Sequence, residues 1–332
     1  VPFSFTWNQY KEGTRDYVYF VPDTNLCKPN EYYSLKQLID FVGSENPQTK
    51  ISTSRGDVEY FPTKNFSIAV DKEKVLKNGT VPANLADSIV PAIEWTCNKY
   101  GVYKSDLMIL DLLANNNWER PVYFASTSGP STFLGLNDYL SLEGLAYRLI
   151  PVKANQPDKS EIGSVQTDVM YDNMMNKFKW GNIQDTTLYI DETVLGLAQS
   201  HRLAFSRLAN ALTKEGKKDK AVSALDKTQE LFPLQNVEYN YYEFLILESY
   251  YKAGDTIKGN KLANQLLDIY GKNLAYYFSF DKKKLNLIDF HIQQSLGILQ
   301  RIVMEATAVN QEEVVTKAKT LFDKYYAKYS VI

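Results

Sequence analysis

Apolar residues in the first part of the chain switch between the spacing of strands and that of helices. Aromatic and β-branched residues at 17–21, before Pro22, predict a strand. Apolar residues then recur at helical spacing over 35–42, and Gly43 is placed to end that helix. A strand pattern followed by a helical pattern predicts a mixed α/β domain.

Two short extended runs follow, around 58–61 and 66–70, with a turn-rich tetrapeptide between them. A hairpin and two sequential strands both fit this pattern. Residues 83–100 have helical patterning, and Pro91 within them must begin a new helix or kink one.

A helix, a polar turn and a strand follow one another in the middle of the first half. Residues 106–114 are apolar on almost every side, which predicts a buried helix. Three asparagines at 115–117 tolerate the left-handed conformation that ends helices. The strand 122–125 comes next, so this α/β unit is expected at the centre of the first domain's sheet. Residues 145–150 predict one more strand.

The pattern of apolar and polar residues changes near the middle of the chain. Residues 153–165 are polar and contain Pro and Gly, which predicts a linker, and 170–180 favours a helix. Beyond about residue 196 strand patterns vanish and helical periodicity takes over. We therefore predict a mixed α/β (α+β) domain over 1–165, followed by an all-α, tetratricopeptide-like helical-hairpin domain over 166–332.

One segment of the helical half matches a tetratricopeptide unit when it is counted from Arg202. Small residues let the two helices approach, a glycine makes the turn between them, and a proline precedes the next unit. The residues at these packing positions are Phe205, Leu208, Ala209, Leu212, Gly216, Ala221, Leu225 and Pro233.

Two further helix pairs are less regular. The turn glycine of the second, Gly254, comes later than the roughly 34-residue standard repeat would place it. Its second helix is expected to end at Gly271. A third pair, over about 285–307 and 311–329, lacks the signature residues and is expected to cap the stack.

The composition excludes several classes of protein. Lys and Arg number 37 against 39 Asp and Glu, so no basic excess points to nucleic acid. No stretch approaches the roughly 18 uninterrupted apolar residues of a membrane helix. Two His and two Cys exclude the usual Cys/His zinc cluster, and Cys27 and Cys97 are expected to stay free thiols. We expect no catalytic residue, metal or cofactor in this chain.

Several segments together resemble the C-terminal soluble portion of a family of large Bacteroidetes membrane proteins, a domain of unknown function. The segments are 13–17, 34–42, 60–64 followed by 70–72, 106–125 and 136–149. Proteins of that family begin with a multi-pass region similar to protein O-mannosyltransferases of the integral-membrane glycosyltransferase (GT-C) fold, and they end in tetratricopeptide-like helices. The chain begins with Val1 instead of Met, so we expect it to be a piece of a longer protein.

The resemblance implies a place at the periplasmic face of the cytoplasmic membrane, beside the protein's own N-terminal multi-pass region. In enzymes of that fold the catalytic carboxylate lies in the membrane part, so no catalytic residue transfers to this chain. The implied role is that of a non-catalytic accessory domain that positions an acceptor protein or glycan for O-glycosylation. The candidate binding residues are Asn115, Asn116, Asn117, Trp118, Arg120 and Tyr123.

Other interpretations stay open. The asparagine turn has a structural alternative, in which its amides cap the buried helix and Trp118 packs beneath the sheet. The whole chain fits a tetratricopeptide-type scaffold that binds proteins and has no connection with sugar transfer. It also fits a glycan-active enzyme that uses a pair of Asp or Glu residues.

Overall fold

The computed structural model describes residues 17–54, 56–154 and 161–331, and the chain divides into two compact units, Val1–Gln166 and Thr167–Ile332. Short strands and helices are mixed in the first unit, and the described residues of the second form helices and loops. The expected fold class is therefore confirmed. Part of the segment 13–17 and residues 155–160 of the predicted linker lie outside the described residues.

The described strands of the first unit form small sheets with the strand orders β3-β4-β1-β7, β11-β9-β10-β8 and β2-β5-β6. The strands are β1 (Tyr17–Phe20), β2 (Tyr33–Ser34), β3 (Lys50–Thr53), β4 (Gly56–Phe61), β5 (Asn65–Ala69), β6 (Ala92–Thr96), β7 (Gly101–Tyr103), β8 (Tyr123–Ala125), β9 (Leu140–Leu142), β10 (Ala146–Leu149) and β11 (Ser164–Val165). The α-helices are α1 (Leu35–Gly43), α2 (Lys72–Lys77) and α3 (Lys104–Asn116).

Aromatic rings from different sheets meet in the core of this unit. The ring centroids of Phe20 and Phe61 are 5.4 Å apart, those of Phe61 and Phe66 are 5.7 Å apart, and those of Phe66 and Trp95 are 5.3 Å apart. All four side chains are buried. Much of the aromatic excess in this half of the chain therefore fills the core, where large rings bury the most apolar surface per residue.

The strands β4 and β5 are sequential and do not form a hairpin. β4 pairs with β3 and β1, whereas β5 pairs with β2 and β6 in another sheet. The turn over 62–64 therefore carries the chain from one sheet to the next.

The helical prediction for 83–100 is wrong. Residues Ala83–Ser88 form a short 3₁₀ segment, and β6 follows directly after Pro91. Along β6, Ile93 and Trp95 are buried while Glu94 and Thr96 are exposed. This alternation has the period of two that a strand needs, and it outweighs the helical pattern of the longer window.

The sheet that contains β8 also differs from the prediction. β8 lies at the edge of its sheet and pairs with β10 alone, so it is not central. The end of the predicted linker belongs to the same sheet, because Ser164 and Val165 pair with β9. Gly163, just before them, has a φ of 63° and lies so close to the Leu140 carbonyl that a Cβ would stand 2.0 Å from its oxygen. Only glycine fits this approach to the sheet.

The second unit begins with α4 and continues as antiparallel helix pairs. The α-helices are α4 (Thr167–Asp172), α5 (Glu192–Lys214), α6 (Lys218–Leu231), α7 (Tyr241–Ala253), α8 (Thr256–Tyr277), α9 (Lys282–Leu287), α10 (Asp289–Ala308) and α11 (Glu312–Tyr329). A π-helical turn, Asn173–Lys177, continues α4. The helix predicted over 170–180 therefore ends before Trp180. Helix α8 runs on through Gly271, where a glycine end was predicted, and a Cβ at this position would lie in ordinary contact with Leu321 of α11, 3.5 Å away.

The residues that match the tetratricopeptide pattern lie on α5, on α6 and in the turn between them, except Pro233, which follows α6. Gly216 has a φ of 77° and makes the turn between the two helices. The apolar members are fully buried, namely Phe205, Leu208, Ala209, Leu212, Ala221 and Leu225. Alanine at 209 and 221 leaves room for the two backbones to approach.

A buried ion pair joins the first helix pair to the second. The Nε of Arg202 on α5 lies 2.7 Å from Oε2 of Glu243 on α7, and both side chains are 0% exposed. The guanidinium also donates to the carbonyl oxygens of Phe232, Val237 and Glu238 at 2.9, 2.8 and 2.7 Å. One side chain therefore holds the loop between α6 and α7 as well as the start of α7.

The surroundings of this pair complete the network. The amide of Gln229 donates to Glu243, and the Tyr239 hydroxyl donates to Oε1 of Gln229 at 2.9 Å. The Tyr239 ring lies 5.1 Å from the guanidinium carbon of Arg202. Burial raises the pKa of Glu243, and the charge of Arg202 opposes that rise.

Replacing Arg202 with Met should lower the free energy of unfolding by about 3–5 kcal/mol, because Glu243 then stays buried without its cation. The variant Arg202→Met/Glu243→Leu should be more stable than Arg202→Met, since it leaves no buried charge. Urea unfolding followed by circular dichroism measures both.

The matched control is Lys258→Met, which removes an ion pair with Asp226 in which both side chains are more than 40% exposed. This control should lose no more than about 1 kcal/mol. An Arg202→Met variant as stable as the parent chain would contradict the assigned role of the pair.

Candidate functional site

The turn that follows α3 has an unusual backbone. Helix α3 ends at Asn116, and both Asn117 and Trp118 take left-handed conformations, with φ of 45° and 57°. Asparagine visits this region at low cost, whereas Trp does so rarely. The contacts of Trp118 are therefore expected to hold it there.

The side chains of the turn bond within the first unit. The Asn116 amide donates to the carbonyl oxygen of Arg120 at 2.8 Å and accepts from the backbone N–H of Arg120 at 3.3 Å. The indole Nε1–H of Trp118 donates to the Ala69 carbonyl at 2.8 Å, and Trp118 is only 7% exposed. The Asn78 amide donates to the Trp118 carbonyl at 2.6 Å. These contacts fasten α3 to the β5 sheet and agree with the structural interpretation of the turn.

The other candidate residues differ in their exposure and in their hydrogen-bond partners. Asn115 donates to the carbonyl and carboxylate oxygens of Asp111. The Asn117 and Arg120 side chains are exposed. Tyr123 is half-exposed, and its hydroxyl donates to Oε2 of Glu143 at 2.7 Å. The six candidates therefore do not converge on one point.

A cleft beside the turn is too small for a ligand. Its volume is about 20 Å³, with Leu113, Asn116 and Val122 among its lining residues. That is room for about one water molecule, whereas sites for small molecules typically measure several hundred Å³. The turn offers a surface contact and no enclosed pocket.

A second candidate surface lies on the helical unit, where α7 packs against α10. We call it the Arg301 cluster, and its members are Tyr241, Phe244, Glu248 and Lys252 on α7 with Arg301 and Glu305 on α10. The spacings of three and four residues place each set on one face of its helix.

Arg301 is at the centre of this cluster. Its guanidinium carbon lies 4.5 Å from the centroid of the Phe244 ring and 5.2 Å from that of Tyr241. Its Nη1 donates to the Tyr241 hydroxyl at 2.9 Å, and its Nη2 lies 3.8 Å from Oε2 of Glu248. The Arg301 side chain is 42% exposed, so one side of the charge still faces water.

The two carboxylates of the cluster compete for its cations. Lys252 donates to Glu248, which also faces Arg301. Burial raises the pKa of Glu305, and the neighbouring Glu248 charge raises it further, while Lys252 and Arg301 act in the opposite direction. The Glu305 carboxylate is therefore half-buried beside a like charge.

Sequence reasoning missed the Arg301 cluster. The spacing of 241, 244, 248 and 252 was a usable signal, because it lines up two rings and two charges along one helix face. The partner helix α10 lies about fifty residues further along the chain, and helical periodicity does not reveal which helices adjoin.

Trp118→Ala should lower the free energy of unfolding by about 3–5 kcal/mol, because a large buried ring is lost. Trp118→Phe should cost about 1–2 kcal/mol, mainly from the lost hydrogen bond to Ala69. Denaturant unfolding measures both, and the exposed control Arg120→Ala should stay within about 0.5 kcal/mol of the parent. A Trp118→Ala chain with the parent's stability would contradict the structural role.

Within the described residues, no helix is long and apolar enough to cross a membrane, and no group of three His, Cys, Asp or Glu side chains is arranged to hold a metal ion. Cys27 and Cys97 are both buried and free.

Comparison with known proteins identifies the first unit. The family model of TMEM260-associated domain 2 matches residues 1–169, a range that contains the mixed sheets and the asparagine turn. No curated protein and no solved structure matches the chain. Because the match covers half of its length, the chain belongs to the TMEM260-associated domain 2 family, a family of domains associated with membrane proteins.

Proposed function

We propose that this chain is the non-catalytic accessory part of a membrane protein O-glycosyltransferase of Bacteroidetes, at the periplasmic face of the cytoplasmic membrane. In this proposal the parent protein carries an N-terminal multi-pass region of GT-C type that makes the bond. The chain's role is to position an acceptor protein for that region. Membership of a membrane-protein-associated family and the resemblance of its longest motifs support the proposal.

The observation that carries the positioning role is the Arg301 cluster. Half-exposed Tyr241 and Arg301 stand beside Glu248 and Glu305 on helices that pack together. A protein segment with a basic side chain gains a charge-assisted contact with these carboxylates and packs its apolar part on the Tyr241 ring. We therefore propose that the acceptor segment is basic and partly apolar.

The same face also supports a second candidate function. Stacked helix pairs bind proteins in many unrelated systems, so a scaffold without any link to sugar transfer would use the same cluster. The two functions differ in the consequence of binding, because only the first changes which proteins carry glycans.

In the full-length parent protein, Glu248→Gln/Glu305→Gln should weaken acceptor binding about tenfold and reduce acceptor glycosylation accordingly, because two charge-assisted contacts are lost. Mass spectrometry of the glycoproteins measures the effect. The matched control is Glu230→Gln/Glu238→Gln, two exposed carboxylates outside the cluster, and it should leave glycosylation unchanged.

Unchanged glycosylation of every acceptor in the Glu248→Gln/Glu305→Gln parent would contradict the proposal. Loss of a bound protein with unchanged glycosylation would favour the scaffold instead.

The pH dependence of stability provides a separate test of the cluster. The raised pKa of Glu305 means that the folded chain holds this proton more tightly than the unfolded chain does, so its ionisation destabilises the fold as pH rises above the ordinary carboxyl value of 4.5. Glu305→Gln should therefore raise the melting temperature at pH 7, and this gain should shrink as the pH falls toward 4.5. Calorimetry across that range measures it, and an equal or lower melting temperature at pH 7 would contradict the electrostatic description.

A further inference from the structure

Large apolar side chains are exposed together at one end of the helical unit. We call this region the α9 end, and it comprises the last turn of α8, the short helix α9, the first turn of α10 and the last two turns of α11. Tyr276 is 62% exposed, Leu287 is 81% exposed and Phe290 is 71% exposed. Such residues are normally covered in soluble proteins, so a patch of them indicates a contact surface.

Ring contacts show that these residues share one region. The ring centroids of Tyr276 and Phe280 are 4.8 Å apart, and the His291 ring lies 6.4 Å from Tyr277 and 5.8 Å from Phe290. Leu285, within α9, is buried and anchors that short helix. Leu287 is thus presented outward from a helix that is itself fixed in place.

Lysines surround this apolar region. Lys282, Lys283 and Lys284 are consecutive and exposed, and Nζ of Lys284 lies 5.7 Å from the centroid of the Phe280 ring. On α11, the exposed Lys324 and Lys328 flank Tyr325 at 5.0 and 5.7 Å.

Tyr325 connects these α11 lysines to the α9 end, because its ring stacks on Phe278 at 5.7 Å, just beyond the end of α8. The same aromatic region is therefore bordered by lysines from two directions.

Aspartates at this end are fewer, and two of them serve the fold. Asp281 accepts from the backbone N–H of Lys284 at 3.0 Å and so caps α9. Asp289 accepts from the Tyr329 hydroxyl at 2.8 Å. Asp323 is exposed. Five lysines against three aspartates leave this end positively charged.

We propose that the α9 end rests on the surface of a lipid bilayer that contains anionic phospholipids. Leu287 and Phe290 enter the boundary between headgroups and acyl chains, Tyr276 lies at headgroup level, and the lysines contact lipid phosphates. The combination of exposed apolar side chains with a positive rim fits this surface, because a purely apolar partner would leave the net positive charge of this end without a counter-charge. The inference goes beyond the proposed function and does not depend on it.

Flotation of the 332-residue chain with phospholipid vesicles tests this proposal. The chain should float with vesicles of phosphatidylcholine and phosphatidylglycerol, and it should float weakly with phosphatidylcholine alone. Lys282→Gln/Lys283→Gln/Lys284→Gln should weaken partitioning on the order of 100-fold, since each lysine near an anionic surface contributes about fivefold. Leu287→Ser/Phe290→Ser should abolish the part of the binding that survives high salt.

Two matched controls distinguish binding through this surface from non-specific binding to vesicles. Lys214→Gln/Lys218→Gln/Lys261→Gln removes three other exposed lysines of the same unit, and Ile257→Ser removes an apolar side chain that is 82% exposed at the opposite end of α8. Both should float like the parent chain, and circular dichroism confirms that every variant is folded.

Several results would overturn the proposal. One is a folded parent chain that does not float with anionic vesicles, and another is flotation that the lysine and Leu287/Phe290 variants leave unchanged. A third is concentration-dependent dimerisation that Leu287→Ser/Phe290→Ser abolishes, because a second copy of the chain would then be the occupant of this surface.

Discussion

The helical unit depends on a charge that water cannot reach. Arg202 and Glu243 neutralise each other inside the packed helices, and the remaining guanidinium donors bond to three carbonyl oxygens between α6 and α7. A buried charge is costly unless it is paired and hydrogen-bonded, so the arrangement tolerates few alternatives. It ties α5 to the start of α7 and to the loop that precedes α7.

In the first unit, buried polar groups are satisfied by hydrogen bonds between neutral groups. At the end of α3 the chain turns through two left-handed residues, and the polar atoms of the turn bond to β5 and to the turn itself. Because these polar atoms are already bonded, a motif rich in Asn and Trp, which resembles a binding loop in the sequence, has few donors and acceptors to offer a ligand. The exposed Asn117 and Arg120 are what remains for a surface contact.

The second unit carries the two surfaces with side chains left for a partner. Its Arg301 cluster combines a half-exposed aromatic ring with two neighbouring carboxylates, and its α9 end combines exposed apolar side chains with lysines. The two proposed contacts are electrostatically opposite, one with a cationic protein segment and one with an anionic bilayer. A part of a membrane protein that receives a protein segment beside a bilayer would use both, and membership of a membrane-protein-associated family agrees with such a place.

The sequence alone predicted the features that depend on residues close together in the chain. The period of apolar residues, the small residues at 209 and 221, and the glycine turn at 216 predicted the first helix pair, and asparagines predicted the left-handed end of α3, because each depends on neighbours a few residues away. Tertiary structure alone decided that 92–96 pairs as a strand, that β8 lies at an edge and that α8 continues through Gly271. It also decided that Arg301 meets Glu248, since residues so distant in the chain become neighbours only when the helices pack, and no spacing along the chain encodes that contact.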